Sequence, residues 1–200
     1  MGIRELAIAD CWEIIPTQWK DDRGVFLESF RADHLEAATG GSFRLRQSNI
    51  SVSNRGVLRG IHFADVPPGQ AKYVTVTSGA GLDFVVDIRV GSPTFGQWES
   101  VLLDTVERKA LYLTEGIGHA FLSLTDGTIL SYLVSETYNP PAEHSINPLD
   151  PQIALKFPAE SVPIVMSPKD REAPFLADLV VAGTLPQWDA VKAFRAAGGM

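Results

Sequence analysis

Cysteine is nearly missing from this 200-residue chain: Cys11 stands alone, and one thiol closes no intramolecular disulfide. Disulfide staples are excluded as a source of stability. The usage fits a reducing compartment, so a cytoplasmic location is expected. Long apolar runs are missing too. Nothing approaches the roughly 20 residues that a membrane span needs, and the N-terminal MGIRELAIADCWEII lacks the apolar stretch of a signal peptide. Positive charge is scarce: 17 Lys and Arg stand against 24 Asp and Glu, for a net charge of −7. A general nucleic-acid binder shows a basic stripe. Neither a nucleic acid nor a membrane is therefore expected as a partner. A small anionic ligand stays open, because a few arginines in one cavity decide that locally. No repeat recurs at solenoid spacing, and no low-complexity linker divides the chain. The length suits one domain over 1–200 with a real core.

What the chain does have is turn chemistry, with 17 Gly and 13 Pro spread along it. Between the turns run short segments of period-two alternation. VFLESF (25–30) puts Phe26, Glu28 and Phe30 on one face, and FRLRQSNISV (43–52) does the same for Gln47 and Asn49. LDFVVDIRV (82–90) sets Leu82, Phe84, Val86, Ile88 and Val90 on one side and Asp83, Val85, Asp87 and Arg89 on the other. VLRGIHF (57–63), AKYVTVTSG (71–79), WESVLLD, ALYLTEG, HAFLSLT and ILSYLVSETY (129–138) read as further strands. A helix is expected over 31–39 with Gly40 as its stop, and another over about 187–196. The Pro-rich 139–151 reads as loop. Many short strands and few helices indicate an all-β fold, a sandwich or jelly-roll barrel with short flanking helices. The barrel core is expected over about 25–158, followed by a tail and helix over 159–200.

The chemistry starts from VLRGIHF, a core-like strand that nevertheless carries Arg59 and His62. Of the four histidines, His34 falls on the surface helix and His144 in the Pro-rich loop, and both read as solvated. His62 and His119 end apolar stretches. Taken alone, each reads as a core histidine with one satisfied hydrogen bond. A barrel metal site would want a second histidine two residues after His62, but that position is Ala64, so no metal cofactor is expected. The company of His62 changes the reading. Lys72, Asp83 and Tyr132 also interrupt apolar strands. Burying so many polar groups singly is costly, and lining one wet cavity with them is not. Histidine, lysine, tyrosine, arginine and carboxylates on inward faces form an acid–base pocket with an anion clamp, the inventory of a cofactor-free proton-transfer enzyme.

These stretches carry a resemblance. DDRGVFLESF (21–30), RQSNISVSNRGVLRGIHF (46–63), QAKYVTVTSGAGLDFVVDIRVGSPTFGQW (70–98), LYLTEGIGHAFLSL (111–124), SYLVSETYNPPAEHSI (131–146) and SPKDREAPF (167–175) follow in order over nearly the whole chain. Together they resemble the dTDP-4-dehydrorhamnose 3,5-epimerase family of cupin-like jelly-roll enzymes. The resemblance implies a dTDP-linked 4-keto-6-deoxy sugar as substrate, no cofactor, and a homodimer with exchanged strands. It implies His62 as base, Tyr132 as acid on the opposite side of the sugar, and Asp170 as the partner of His62. His119 with Asp83 matches a second such pair, and Lys72 lies near the ketone oxygen. Arg23, Arg59 and Lys169 are implied at the diphosphate. Phe26, Glu28, Gln47, Asn49, Tyr138 and Glu143 are implied around the nucleoside and sugar, with the 23–30 and 47–49 stretches coming partly from a neighbouring subunit.

The chain departs from the family pattern at Phe63-Ala64, at Thr114 and at Ala80-Gly81-Leu82. None of these is the implied base, acid or lysine. Epimerisation at both C3 and C5 is the first expectation. Epimerisation at a single carbon is the alternative, since relatives acting at one centre keep the same base and acid. A 3,4-ketoisomerase, or a binding barrel without catalysis, is a more distant reading.

Overall fold

The computed structural model describes residues 1–159 and 163–198. Residues 160–162 and 199–200 of the expected C-terminal tail lie outside the described residues. In chain order the first strands are β1 (Gly2–Glu5), β2 (Cys11–Ile15), β3 (Gln18–Asp21) and β4 (Gly24–Leu27). Helix α1 (Ala32–Thr39) follows, then β5 (Gln47–Ser53), β6 (Leu58–Ala64), β7 (Lys72–Ser78) and β8 (Ala80–Asp87). Next come β9 (Trp98–Asp104), β10 (Ala110–Leu113), β11 (Ile117–Ser123), β12 (Thr128–Val134) and β13 (Glu143–Ser145). Helices α2 (Pro168–Arg171), α3 (Leu176–Ala182) and α4 (Trp188–Ala196) close the chain.

Two antiparallel sheets carry the architecture. One orders its strands β1-β2-β10-β7-β12-β5 and the other β13-β6-β11-β8-β9, while β3 and β4 pair only with each other. Alternation decides what lies between the sheets. Val74, Val76, Leu111 and Leu130 from the first meet Val85, Val101, Leu103 and Phe121 from the second. Each such side chain contributes ~1.5–3 kcal/mol by leaving water. The other face of β8, with Phe84 and Val86, and Ile88 just beyond it pack under Ile153, Leu155, Leu176 and Leu185 of the C-terminal segment. On the outside of the six-stranded sheet, Trp12, Ile14, Tyr73 and Tyr112 pack with Phe43 and with Leu35 of α1. The expected all-β double sheet with covering helices is what forms.

Several boundaries differ from the sequence reading, each for a packing reason. The strand expected over 25–30 stops at Leu27, because Phe30 turns back onto Phe43 and Tyr73, with ring centroids 5.7 and 5.1 Å away. The strand expected from 43 begins at Gln47, since Phe43 is buried beneath α1. The sequence reading missed β1 and β2; Cys11–Ile14 are all buried, so no alternation marks them. Within the 139–151 loop, β13 adds a short edge strand to β6. Helix α1 ends where expected, with Gly40 left-handed at φ 70° and its N–H on the Glu36 carbonyl. The departure at Gly81 has a steric cause here: a Cβ would lie 2.1 Å from the Phe121 ring. Thr114 instead ties its turn to the N-terminal segment, its hydroxyl donating to the Asp10 carbonyl at 3.0 Å.

A buried ion-pair knot fastens the end of the molecule. Arg89, fully buried, donates to both carboxylate oxygens of Asp87 at 2.8 and 2.9 Å and to Asp10 at 3.1 Å. Ser92 and Thr94 add hydroxyl hydrogen bonds to Asp87. From α4, Trp188 lies 4.3 Å from the Arg89 guanidinium, and Arg195 pairs with Asp10.

Candidate active site

Arg59 and His62 are three residues apart on one strand and by simple alternation would face opposite ways. The pairing of β6 with β11 shows why they do not. His119 lies opposite His62, but Phe121 lies opposite Arg59, so three steps on β6 match two on β11. The extra residue is a bulge. It turns Arg59 and His62 to the same face while Leu58 and Ile61 both reach the outer core. Gly60 makes the bulge possible: its φ is 109°, and a Cβ there would sit 2.4 Å from the His119 carbonyl oxygen.

Directly opposed residues of paired strands share a face. The register therefore places His62, His119 and Ser145 together, and Asp83 with Phe121 on the same inner side. Glu143, opposite Ala64, joins them from β13. The facing sheet presents Tyr132 opposite Val74 and Asn49, and Lys72 opposite Val134 and Gln47 in turn. Imidazole and phenol thus stand on opposite walls. The rims of the two walls are tied where Arg59 of β6 donates from Nε to Ser53 Oγ of β5 at 3.0 Å. A groove of about 370 Å³ opens beside them, lined by Arg59, His62, Met166, Ser167, Lys169 and Asp170 among others, within the size range of small-ligand sites.

Each histidine on the inner wall has a carboxylate. His62 Nε2 is 2.7 Å from Asp170 Oδ1, and His119 Nε2 is 2.8 Å from Asp83 Oδ2. Burial raises the Asp170 carboxyl, but the His62 hydrogen bond and charge, the Ser167 hydroxyl and the Gly60 N–H outweigh it and hold it below its ordinary value. An ionised carboxylate only accepts, so Nε2 of His62 carries a hydrogen directed at Asp170. Asp83 differs: complete burial pushes its carboxyl up against the pull of His119, and Oδ1 has no hydrogen-bond partner among the described residues. Burial pushes the Lys72 ammonium down, opposed by Glu143 and Glu115. The phenol of Tyr132 is raised, chiefly by burial, with Arg59 opposing and Glu143 adding.

Not every expected residue reaches this hollow within one chain. Arg23 pairs with Asp21 at 2.6 Å, and Glu28 with Arg31 at 3.1 Å. Phe26 is two-thirds exposed on the β3–β4 hairpin, its ring tilted against Trp19 with centroids 5.8 Å apart. Gln47 and Asn49 are hydrogen-bonded to each other at 2.7 Å on the inner face of β5, and the Tyr138 N–H caps Gln47 Oε1 at 3.0 Å. Lys169 is exposed on the groove wall. His34 is exposed on α1. His144 is not simply solvated: it faces the outer side, against Phe63, with Nε2 2.8 Å from Asp65. Its partner lies 79 residues away, so no local signal announces it. Ser167 was also missed. It caps α2, accepting the Asp170 N–H at 3.1 Å, and the Ser-Pro-Lys-Asp spacing is a legible helix start that fixes Asp170. The described residues hold no cluster of three or more His, Cys, Asp or Glu suited to a metal, and no helix among them is long and apolar enough to cross a membrane.

A family profile described as dTDP-4-dehydrorhamnose 3,5-epimerase matches residues 5–178. A dTDP-4-dehydrorhamnose 3-epimerase of Streptomyces niveus is 52% identical over 94% of this chain and 90% of its own. A dTDP-4-dehydrorhamnose 3,5-epimerase of Mycolicibacterium smegmatis is 50% identical over 97% of this chain and 95% of its own. The crystal structure of a 3′-monoepimerase from Streptomyces bikiniensis in complex with dTDP-quinovose superimposes with a TM-score of 0.93 at 46% identity, covering 97% of this chain and 98% of that one. On these likenesses the chain belongs to the dTDP-4-dehydrorhamnose 3,5-epimerase family, cupin-like jelly-roll enzymes, and is an epimerase of that class.

Proposed function

We propose that the protein epimerises dTDP-4-dehydro-6-deoxy-D-glucose at C3 and C5 by proton transfer through an enolate, without a cofactor, in deoxysugar biosynthesis. What supports this reading is the strand register, which turns His62 of one sheet and Tyr132 of the facing sheet to the inner side. A C4 ketone acidifies the protons on C3 and C5, because the resulting carbanion delocalises onto oxygen. His62 Nδ1 takes such a proton, while Asp170 holds the ring in the required tautomer and stabilises the imidazolium. The buried Lys72 meets the charge developing on the ketone oxygen, where a fixed cation counts most. Tyr132, kept protonated by its burial, returns a proton from the other side, and the centre inverts.

At the nucleotide end, Arg59 and Lys169 face the diphosphate, and guanidinium geometry suits its oxygens. Gln47, Asn49, Tyr138 and Glu143 contact the nucleoside and sugar. Arg23, Phe26 and Glu28 reach the site of a second copy in a homodimer with exchanged strands. The apolar exposure of that region supports this: Trp19 is 50% and Phe26 66% exposed on the hairpin, and Ile50 is 68% and Val52 60% exposed on the outer face of β5. A second reading, epimerisation at one carbon, is favoured by the Streptomyces niveus 3-epimerase, as similar to this chain as the two-centre relative.

Two variants test the division of labour. His62→Ala is expected to abolish solvent deuterium uptake into the sugar while dTDP still binds; retained exchange removes His62 from the base role. Tyr132→Phe is expected to slow inversion more than proton loss, and equal slowing of both contradicts the assignment of the phenol as acid.

A further inference from the structure

We infer that Ser53 is the positioning residue of the anion clamp: its buried hydroxyl holds the Arg59 guanidinium by Nε and leaves the charge of that guanidinium unneutralised for the ligand. The inference rests on the reading of Arg59 as a diphosphate ligand. Arg59 Nε donates to Ser53 Oγ at 3.0 Å, and one terminal nitrogen donates to the Val52 carbonyl at 3.3 Å. Both acceptors are neutral. Arg4, Arg23, Arg31, Arg89 and Arg195 each sit on a carboxylate. Arg59 makes no salt bridge among the described residues. A carboxylate in the place of Ser53 would align the guanidinium equally well, but it would cancel the charge that an incoming diphosphate needs. Two of the five guanidinium hydrogens are engaged, and the others remain for a bidentate contact.

Ser53 is itself held in place. It is 2% exposed, lies opposite Thr128 in the sheet, and its carbonyl accepts the Ser123 hydroxyl at 3.4 Å. Its hydroxyl reaches from the rim of one sheet to the rim of the other and so fixes where Arg59 stands across the mouth of the hollow. Holding a long, flexible side chain in place before the ligand arrives lowers the ordering cost at binding.

A double-mutant cycle on dTDP affinity, read by titration calorimetry, tests this. Ser53→Ala should weaken dTDP binding about tenfold, as for a lost hydrogen bond to a charged group. Arg59→Ala should weaken it further. In the Arg59→Ala background, Ser53→Ala should cost nothing more. A purely structural role for Ser53 would give the same penalty in both backgrounds, and that additivity overturns the inference, as does unchanged affinity in Ser53→Ala alone. Unchanged affinity in Arg59→Ala is a separate failure: it removes the clamp reading itself, and this inference with it.

Discussion

Asp170 holds the His62 ring at 2.7 Å, and on the proposed mechanism it sets the state in which His62 meets the sugar. Asp170→Asn keeps the shape but offers Nε2 an amide that donates as readily as it accepts. Turnover is expected to fall by on the order of 10²-fold or more, as for loss of an orienting carboxylate; steady-state rates on the dTDP-keto sugar check this. The same carboxyl predicts an acid limb in stability. Its folded value lies below the ordinary 3.8, so its contribution is present above that pH and is lost as pH falls through the lower folded value. Urea unfolding followed from about pH 5 down to about pH 2 should show the wild type losing stability more steeply than Asp170→Asn. At this scale the candidate residues were legible: His62, His119, Lys72, Asp83 and Tyr132 each break an apolar strand, and residues that do so are visible one at a time. Ser53 and the His144–Asp65 pair were not, because a serine in a strand is unremarkable until its partner across the fold is known.

The element that decides the site is β6, through its bulge. Gly60→Ala places a Cβ against the His119 carbonyl at a positive φ, so the strand must slip or straighten, and a straightened strand turns either Arg59 or His62 away from the hollow. The expected outcome is a loss of several kcal/mol of stability together with near-complete loss of activity, measured by denaturant unfolding and turnover. The bulge explains the puzzle of VLRGIHF, and the sequence alone could not locate it: alternation assigns faces only while the register holds. The turn from β8 into the Arg89 knot makes a second case. Arg89→Ala leaves Asp87 charged and buried, and ~3–5 kcal/mol of stability should be lost, visible as a lowered urea midpoint. Strands with clean alternation, such as β8, were readable. The continuously buried β2 and the three-residue β13, held by β6 rather than by its own pattern, were not.

Across the whole molecule, two sheets sandwich an apolar core and turn polar side chains toward one another along the rims that Arg59 and Ser53 join. The all-β fold followed from turn spacing and strand periodicity. The placement of the β3–β4 hairpin did not, because Trp19 and Phe26 pack on each other and stay half to two-thirds exposed. If Arg23 serves a neighbouring site, two inactive proteins, Arg23→Ala and His62→Ala, should regain partial turnover when mixed and allowed to exchange subunits, since one site of each mixed dimer is intact; no recovery contradicts the exchanged-strand dimer. The central claim, an imidazole and a phenol working across one keto sugar, is tested most directly by NMR of dTDP-4-dehydro-6-deoxy-D-glucose with the wild-type protein in D₂O. The account predicts deuterium at C3 and at C5 with both centres inverted, whereas a sugar that keeps both its protons would contradict it.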